Sequence, residues 1–297
     1  MNQPLVSVIC LCYNHEKFVV KSLDSVINQS YKNIELIIVD DKSSDNSTTI
    51  INQWLEKYPF VTKVFNELNM GNTKAFNKAA KLAKGEYLID LAADDILIEN
   101  CIEKQVNCFE NASTNTAIVF GNAYLINAIG ERIGTYFQVD HNLKVIDQGL
   151  RHTNYERIIG SGTVICSVSA MMKRKVFDKL DGYNEQLSFE DLDYWFRAAR
   201  EHNILFIDEF LVKKRVLSNS LGSQFHRASP YNKKLNQSLY VIIRETLKKN
   251  RTKKEHHSLL RRINQELFLA VKFFNISNIV RYTKLKIMAH FYVLFSK

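Results

Sequence analysis

Short apolar runs, separated by polar turns and amphipathic segments, dominate the first hundred residues. The run over residues 5–12 is nearly continuous, which is typical of a strand buried on both faces. Val19, Leu23, Val26 and Ile27 follow at helical spacing, so the first unit reads strand, loop, helix. This alternation continues along the chain and predicts a parallel, doubly wound α/β sheet with helices on both faces.

Three more strands are predicted in this region, each after a helical segment. The strands cover residues 34–39, 61–65 and 86–91. One intervening helix is capped by Ser44, Asp45 or Ser47 and runs through 54–58, and another covers 73–83. Downstream, the patterns predict a helix over 98–109, a hairpin of 116–126 with 133–137, a helix over 190–202, a short strand at 204–207 and helices from about 231 onward. Residues 138–160 show no clear period, and 164–172 read as a strand or a strand–helix junction.

Acidic pairs follow two of the predicted strands. Asp40-Asp41 come directly after residues 34–39, and Asp94-Asp95 come just after residues 86–91. Ligands of open α/β sheets bind outside the carboxyl ends of the strands. Carboxylate oxygens there suit a Mg²⁺ or Mn²⁺ ion that carries phosphates. The alternative interpretation of each pair is a capped turn or a helix cap.

A third acidic pair, Glu190-Asp191, opens the predicted helix over 190–202. From the residues alone, both side chains are expected to interact with the helix dipole, which favours acidic residues in the first turn.

Composition narrows the class of protein. The chain has 297 residues, of which 46% are hydrophobic, with only 10 Gly and 3 Pro, so we expect a sizeable core rather than global disorder. Its five cysteines are odd in number and contain no C-x-x-C pair, which favours reduced thiols in a cytoplasmic protein over a disulfide framework or a zinc site. No secretory leader or membrane span is expected.

The positive charge belongs to the C-terminal part of the chain. Residues 211–297 hold 19 Lys+Arg against 3 Asp+Glu, whereas residues 1–210 hold 21 against 28. Leu285, Met288, Tyr292 and Phe295 share one predicted helical face. One hypothesis is that these helices contact the anionic cytoplasmic leaflet near a lipid-linked acceptor. The alternatives are packing on the domain or, without any recognised module to support it, nucleic-acid binding, which we do not expect.

The motifs, taken in order, resemble those of family 2 nucleotide-sugar glycosyltransferases over about residues 4–220. The matching segments are Val6-Ser7-Val8-Ile9 with Tyr13-Asn14, Ile38-Val39-Asp40-Asp41 with Ser43-Ser44-Asp45, Asn69-x-Gly71-x-x-x-Ala75-x-Asn77 with Gly85-Glu86-Tyr87, Ala93-Asp94-Asp95, and Phe189-Glu190-Asp191-x-Asp193-x-Trp195-x-Arg197. Each segment alone is weak evidence, but the ordered set is specific.

This resemblance implies a GT-A fold over residues 1–225, with a basic helical extension over 226–297. It further implies an inverting glycosyltransferase that uses Mn²⁺ or Mg²⁺ and a nucleotide-diphosphate sugar, a UDP-sugar being the expected donor. The acceptor would be a hydroxyl of a glycan or a lipid-linked sugar in cell-surface polysaccharide assembly. We expect such an enzyme in the cytoplasm, peripheral to the inner membrane.

The same resemblance assigns roles to individual residues. Asp191 would be the general base, positioned by Glu190. Asp94 would bind the metal with support from Asp95. The nucleotide-binding residues would be Tyr13, Asp40, Asp41, Lys74 and Asp94, with Tyr13 packing against the base, Asp41 accepting a hydrogen bond from it and Lys74 neutralising phosphate.

Some positions depart from the family pattern. Ala92 stands where the first Asp of the D-x-D motif is usual, and Leu217 stands where a His is usual, with His226 as a possible substitute. The only tryptophans are Trp54 and Trp195, so the Q-x-x-R-W motif of processive synthases is missing and transfer of a single sugar is favoured. Two alternatives stay open: a non-catalytic glycosyltransferase-like binding subunit, and a sugar nucleotidyltransferase. The latter predicts a Gly-rich, basic phosphate loop after the first strand, which residues 13–16 do not provide.

Overall fold

The computed structural model describes residues 3–161, 164–217 and 230–295. The strands in this part of the chain are β1 (Val6–Cys12), β2 (Ile34–Asp40), β3 (Thr62–Phe65), β4 (Tyr87–Ala92), β5 (Ile96–Leu97), β6 (Thr116–Ile126), β7 (Arg132–Thr135), β8 (Met171–Lys173) and β9 (Asn203–Arg215). The helices are α1 (Val19–Ile27), α2 (Ser47–Leu55), α3 (Asn72–Ala80), α4 (Cys101–Glu110), α5 (Tyr155–Gly160), α6 (Arg174–Lys179), α7 (Glu190–Ala199), α8 (Pro230–Lys249), α9 (Lys253–Lys272) and α10 (Ile276–Phe295). Short 3₁₀ helices cover Gln148–His152 and Ser167–Ser169.

One sheet contains all of these strands, in the order β3-β2-β1-β4-β8-β6-β9-β5, with β7 paired to β6. The first four positions are parallel, because β1 pairs in parallel with both β2 and β4, and β2 pairs in parallel with β3. The predicted doubly wound parallel sheet is therefore confirmed for β1 to β4. Beyond β4 the sheet is mixed, since β8 is antiparallel to both of its neighbours, whereas β6 and β9 are parallel to each other.

The order in which successive strands are added across the sheet reverses between β3 and β4. The steps from β1 to β2 to β3 move outward, and the next connection returns to the other side of β1. Right-handed crossovers then put α1 and α2 on one face of the sheet and α3 on the other. In agreement, α1 packs against α2, while α3 packs against β1 and β2. The reversal creates a switch point between β1 and β4, where open α/β sheets bind ligands.

The β9 strand is longer than the pattern predicts. The expected strand at 204–207 is only the start of a 13-residue strand that ends at Arg215. It pairs with β6 along most of its length, through several irregularities, and its last part also pairs with β5. Because β9 is only partly buried and its register shifts, its hydrophobic alternation is broken after the first four residues.

Contacts divide the chain into two compact units. The first contains Met1–His152, Cys166–Tyr183 and His202–Ser218, and the second contains Thr153–Ile165, Asn184–Glu201 and Asn219–Lys297. The first unit thus carries the whole described sheet, and the second carries α5, α7, α8, α9 and α10. The predicted boundary between residues 225 and 226 lies outside the described residues.

The second unit is helical. Thr252 and Glu255 form a reciprocal capping box at the start of α9, which satisfies two backbone N–H groups. Glu255 also forms an ion pair with Arg200, which directly follows α7, at an N–O distance of 2.9 Å. Helix α9 packs against α5 and α10. Within the described residues, no helix combines the length and the apolar character needed to cross a membrane.

All five cysteines are free, in line with the expected reduced thiols. Cys10 and Cys12 are buried on β1, and burial raises the pKa of both thiols, that of Cys12 to about 11. They are core residues of the sheet.

Candidate functional site

The carboxyl ends of β2, β1 and β4 lie side by side. Cys12 pairs with Asp40 in the parallel register, and Leu11 pairs with Ala92. Beyond the strands, the Asp41 amide donates to the Cys12 carbonyl at 2.9 Å, and the next strand makes the same kind of bond from the Ala93 amide to the Leu11 carbonyl, also at 2.9 Å. The prediction that both acidic pairs end strands on one edge of the sheet is confirmed. We refer to this edge, at the switch point, as the carboxyl edge.

The loop after β1 is clamped to the turn after β2. The Asn14 side-chain oxygen accepts from the Ser44 amide at 2.7 Å, and the Asn14 amide donates to the Ser43 hydroxyl at 2.9 Å. Asn14 adopts a positive φ of 59°, which Asn tolerates better than most residues. The clamp leaves the Tyr13 side chain 48% exposed at the carboxyl edge. The serines of the Asp40–Asp45 motif therefore act here as supports for the Tyr13 loop.

Asp41 fixes the loop that enters α3. One carboxylate oxygen accepts from the Asn66 side chain and from the Met70 amide, both at 2.9 Å, and the other accepts from the Gly71 amide at 2.8 Å. Gly71 has a φ of 82°, in the region that favours glycine. Since Asp41 is buried and already accepts three bonds, one of its roles is structural; its contact with a base stays a prediction.

Asp40 caps the turn after β2, as the alternative interpretation expects. Its Oδ1 accepts from the Ser43 amide at 3.0 Å and from the Thr48 hydroxyl at 3.2 Å. The side chain is buried, and its Oδ2 has no hydrogen-bond partner within the described residues. Asp40 thus holds the turn after β2, and its contribution to a nucleotide pocket stays a prediction.

The two carboxylates after β4 have different environments. Asp94 is half-exposed, whereas Asp95 is buried and its Oδ1 accepts from the Arg215 amide at 2.7 Å. Burial and the neighbouring charge of Asp94 raise the pKa of Asp95 to about 7, against the opposing influence of Lys214 and Arg215. Asp94 is therefore the more accessible of the two carboxylates, and Asp95 anchors the loop.

Arg215 is a residue of this edge that the sequence analysis did not identify as part of the site. It is buried, and its guanidinium donates to three carbonyl oxygens: Asp94 at 2.9 Å, Asn127 at 2.8 Å and Ala128 at 3.1 Å. Its guanidinium carbon also lies 4.5 Å from the ring centroid of Phe18. One arginine thus joins the loops after β1, β4 and β6. Its position two residues before Leu217, where the family pattern usually has a His, is the signal in the sequence that points to it.

Lys74, Leu217 and His226 are the remaining positions that the family pattern singled out. Lys74 is exposed on α3, whereas Lys78, one turn further, donates to the Asn66 side chain at 2.8 Å and so supports the residue that holds Asp41. Leu217 is half-buried, and His226 lies outside the described residues.

Glu190 and Asp191 begin α7, in the second unit. The helix has 10 residues, both side chains are half-buried, and the Asp191 carboxylate accepts from the Leu192 amide at 2.7 Å. In the same first turn, Asp193 forms a 2.7 Å ion pair with Arg197. The role of Asp191 as a general base stays a prediction.

The metal-binding capacity of the described part of the chain rests on few side chains. Within the described residues, no group of three or more His, Cys, Asp or Glu side chains is arranged to hold an ion. Asp94, backed by Asp95, offers one half-exposed carboxylate. That donor set fits a hard cation such as Mg²⁺, which commonly takes one or two carboxylates and completes its shell with water and substrate phosphates.

The sheet order, the switch point and the acidic carboxyl edge define a GT-A-like α/β protein. Residues 7–181 match the family described as glycosyl transferase family 2, and the chain belongs to that family. This match confirms the membership inferred from the motifs. Members of the family transfer a sugar from a nucleotide sugar.

Relatives and solved structures agree with this assignment. An uncharacterized glycosyltransferase of Methanocaldococcus jannaschii is 30% identical over 219 residues, 73% of this chain and 72% of that protein. S. aureus TarS 1-349 in complex with UDP-GlcNAc has a TM-score of 0.67 at 18% identity, over 89% of this chain and 72% of that one. The mannosyltransferase PcManGT from Pyrobaculum calidifontis, in complex with GDP-Man and Mn²⁺, has a TM-score of 0.63 at 16% identity, over 99% and 88%. At these identities the structures establish the fold, and the predicted GT-A-like class is confirmed.

Proposed function

We propose that this protein is an inverting, metal-dependent glycosyltransferase that moves one sugar from a nucleotide-diphosphate sugar, a UDP-sugar, to a hydroxyl of a glycan or lipid-linked acceptor. The observation that carries the proposal is the carboxyl edge. There, Tyr13, Asp41 and Asp94 follow three neighbouring strands at the switch point of the sheet. An exposed aromatic ring can stack on a nucleotide base, and carboxylates can accept from the base and bind the cation that accompanies a diphosphate.

The donor half of the site follows from the side chains that this edge presents. The exposed Tyr13 ring packs against the base, and Asp41, with one lone pair left after its three bonds, accepts from a base N–H. Asp94 and Asp95 are the residues that would hold Mn²⁺ or Mg²⁺. When bound, the cation stabilises the negative charge that develops on the departing diphosphate. Lys74, exposed on α3, is the proposed phosphate neighbour.

The acceptor half of the reaction needs a base. Asp191 takes the proton of the acceptor hydroxyl while that oxygen forms the new bond to the anomeric carbon, and the bond from this carbon to the diphosphate oxygen breaks. The leaving group keeps the electron pair of the broken bond. A single displacement inverts the anomeric configuration and requires no covalent intermediate. Glu190 positions Asp191.

The setting of the reaction belongs to the same proposal. TarS and PcManGT were solved with different donors, a UDP-sugar and a GDP-sugar, so the fold alone does not select the base. We place the transfer in the cytoplasm, at the inner face of the membrane, in assembly of surface polysaccharide. The basic C-terminal region, with 19 Lys+Arg against 3 Asp+Glu over residues 211–297, supports an acceptor held at an anionic surface.

Calorimetric titration of UDP- and GDP-sugars, each with and without Mn²⁺, tests the donor half of the proposal. We expect a UDP-sugar to bind in preference to a GDP-sugar when Mn²⁺ is present. We expect it to bind at least about tenfold more weakly without Mn²⁺, since both the diphosphate and Asp94 would bind the cation. Asp94→Asn should abolish the metal effect. Asp178→Asn, which removes an exposed carboxylate in the same unit, should retain it. Metal-independent binding of every donor, or no binding, would refute the proposal.

A non-catalytic binding subunit is the second candidate, because Ala92 and Leu217 replace two residues of the family pattern. Such a subunit would bind the donor but would not release the nucleotide diphosphate in the presence of an acceptor. Turnover that disappears in Asp191→Asn, with donor binding unchanged, would exclude it.

A further inference from the structure

Helix α10 is apolar on two opposite faces. On the inner face Tyr282, Leu285 and Ala289 are almost completely buried against the rest of the second unit. The outer face carries an apolar stripe, which we define as Ile276, Val280, Ile287, Phe291 and Leu294.

The sequence analysis predicted a different exposed face. Of its four residues, Leu285 is buried and Tyr292 is half-buried, with its ring stacked on His256 at a centroid distance of 5.2 Å. Met288 and Phe295 are exposed. Leu285 and Tyr292 therefore serve the packing of α10, as the alternative interpretation expected, and the residues available to a partner are those of the apolar stripe.

The apolar stripe is extensive. Its residues are 50–75% exposed, and at 1.5 Å per residue it runs for about 27 Å along the helix. The turn between α9 and α10 extends it, because Phe273 is 54% and Phe274 is 88% exposed. Scattered exposed apolar residues are ordinary on proteins, but a row of them along one face of one helix, interrupted at Thr283 and Lys284, indicates an interaction site.

The charge around the apolar stripe indicates its partner. From residue 267 to residue 297 the chain contains five cations (Lys272, Arg281, Lys284, Lys286 and Lys297) and no Asp or Glu. Lys272 and Lys284 are exposed, and Lys284 lies on α10 between Val280 and Ile287. An apolar helix face bordered by lysines matches the layered chemistry of an anionic bilayer surface, where lysine amines reach the phosphates while the apolar side chains enter the acyl region.

We propose that the apolar stripe and the adjoining Phe273-Phe274 turn dock on an anionic phospholipid membrane. A second copy of the chain fits this surface less well, because two such faces packed together would bring lysines against lysines with no acidic residue between them. The proposal deepens the proposed function by naming the surface that brings the enzyme to a lipid-linked acceptor. It rests on that function only for the acceptor, since membrane binding is measured without any sugar.

Co-sedimentation with vesicles tests the proposal on the full chain. Two compositions are used: phosphatidylcholine alone, and phosphatidylcholine with about 30% phosphatidylglycerol, which supplies the anionic charge that attracts basic segments. We expect binding to the anionic vesicles, weakened at high salt, and at least about tenfold weaker partitioning to the neutral ones. Ile287→Gln/Phe291→Gln should lose at least about tenfold, and Lys272→Gln/Lys284→Gln should lose about tenfold on anionic vesicles only.

The matched control is Ile146→Gln/Phe60→Gln, which removes the same two residue types, 59% and 76% exposed, from the first unit. It should bind like the wild type. Circular dichroism melting identifies any variant that fails to fold, in which case Ile276→Gln/Leu294→Gln replaces the stripe variant. The proposal is overturned if the wild type does not bind anionic vesicles, or if the stripe variant binds as well as the control. It is also overturned if sedimentation velocity shows a wild-type dimer that the stripe variant dissociates while vesicle binding persists.

Vesicle binding with no donor turnover would support the membrane-docking surface and reject the proposed function. Turnover on a soluble acceptor without vesicle binding would support the proposed function and reject the membrane-docking surface. The two failures are therefore distinguishable.

Discussion

Arg215 is the residue at the carboxyl edge whose substitution has the most readily calculated consequence. Its guanidinium donates three hydrogen bonds to the carbonyls of Asp94, Asn127 and Ala128, while its amide donates to Asp95. The side chain is buried, so water does not replace lost bonds without opening the structure. Arg215→Lys keeps the positive charge but loses the planar fork of donors, and Arg215→Met loses both.

The magnitude follows from the number of bonds. Nε donates to the Asp94 carbonyl, whereas Nη1 donates to the carbonyls of both Asn127 and Ala128. The shorter lysine reaches the Asp94 carbonyl and loses the two Nη1 bonds, at about 1.5 kcal/mol each, or about 3 kcal/mol in total. The methionine variant loses all three bonds, about 4.5 kcal/mol on the same basis. Because every 1.4 kcal/mol is a factor of ten, local opening should become about 100-fold more frequent in the lysine variant and more than about 1,000-fold in the methionine variant.

Amide hydrogen exchange read by mass spectrometry measures this local opening directly. The peptides of interest cover residues 93–97 and 126–130, and a peptide covering β2 serves as the internal control because Arg215 makes none of these bonds to it. We expect faster exchange in the first two peptides and little change in the third. A change below about tenfold in Arg215→Met, or equal effects in the two variants, would contradict the reasoning.

Three further outcomes are expected. Asp191→Asn should lower kcat by at least about 100-fold without changing the donor Kd, because the amide cannot take the acceptor proton. The control, Glu201→Gln, changes an exposed carboxylate in the same unit and should leave kcat unchanged. A full loss of donor binding in Asp191→Asn would contradict the assigned role. Tyr13→Ala should weaken nucleotide binding in calorimetry by about tenfold, the loss of one stacking contact, whereas Tyr13→Phe should retain it, and equal Kd values for all three proteins would exclude stacking. Native protein treated with iodoacetamide at mildly alkaline pH should be alkylated at the half-buried Cys108 long before Cys12. Cys12 is buried, and its pKa, raised by that burial to about 11, keeps it protonated; peptide mapping that finds equal rates would contradict this burial.

The sequence predicts the part of the fold that local patterns and topological rules determine. The strands β1, β2 and β4 are mostly apolar runs, and the helices between them require parallel pairing through right-handed crossovers. Their carboxyl ends must then meet, so the positions of Asp41 and Asp94 at one edge follow from the sequence.

The supports of the site do not follow from local patterns. Asp95 is paired with the amide of Arg215, 120 residues away, and that pairing depends on the register of β9 against β5 and β6. The bond between Asp41 and Asn66 likewise depends on the path of a loop. A polar residue in a sequence shows what it can bond, whereas its partner is fixed only by the assembled sheet.

Helix α10 shows the opposite kind of failure. Both of its faces are apolar, so periodicity identifies a face without indicating whether that face packs inside or meets solvent. Leu285 and Ile287 are equally apolar in the sequence, yet the first is 1% and the second 65% exposed. Of the face that periodicity predicted to be free, Leu285 is buried and Tyr292 is half-buried, whereas Met288 and Phe295 are exposed.

The central claim, that the carboxyl edge holds the donor and its cation, is tested most directly by a crystal structure of the full chain grown with the preferred nucleotide sugar and Mn²⁺. The account predicts an anomalous manganese peak bonded to the Asp94 carboxylate and the diphosphate, with the base between Tyr13 and Asp41. A nucleotide bound elsewhere on the protein, or a manganese ion that makes no contact with Asp94, would contradict it.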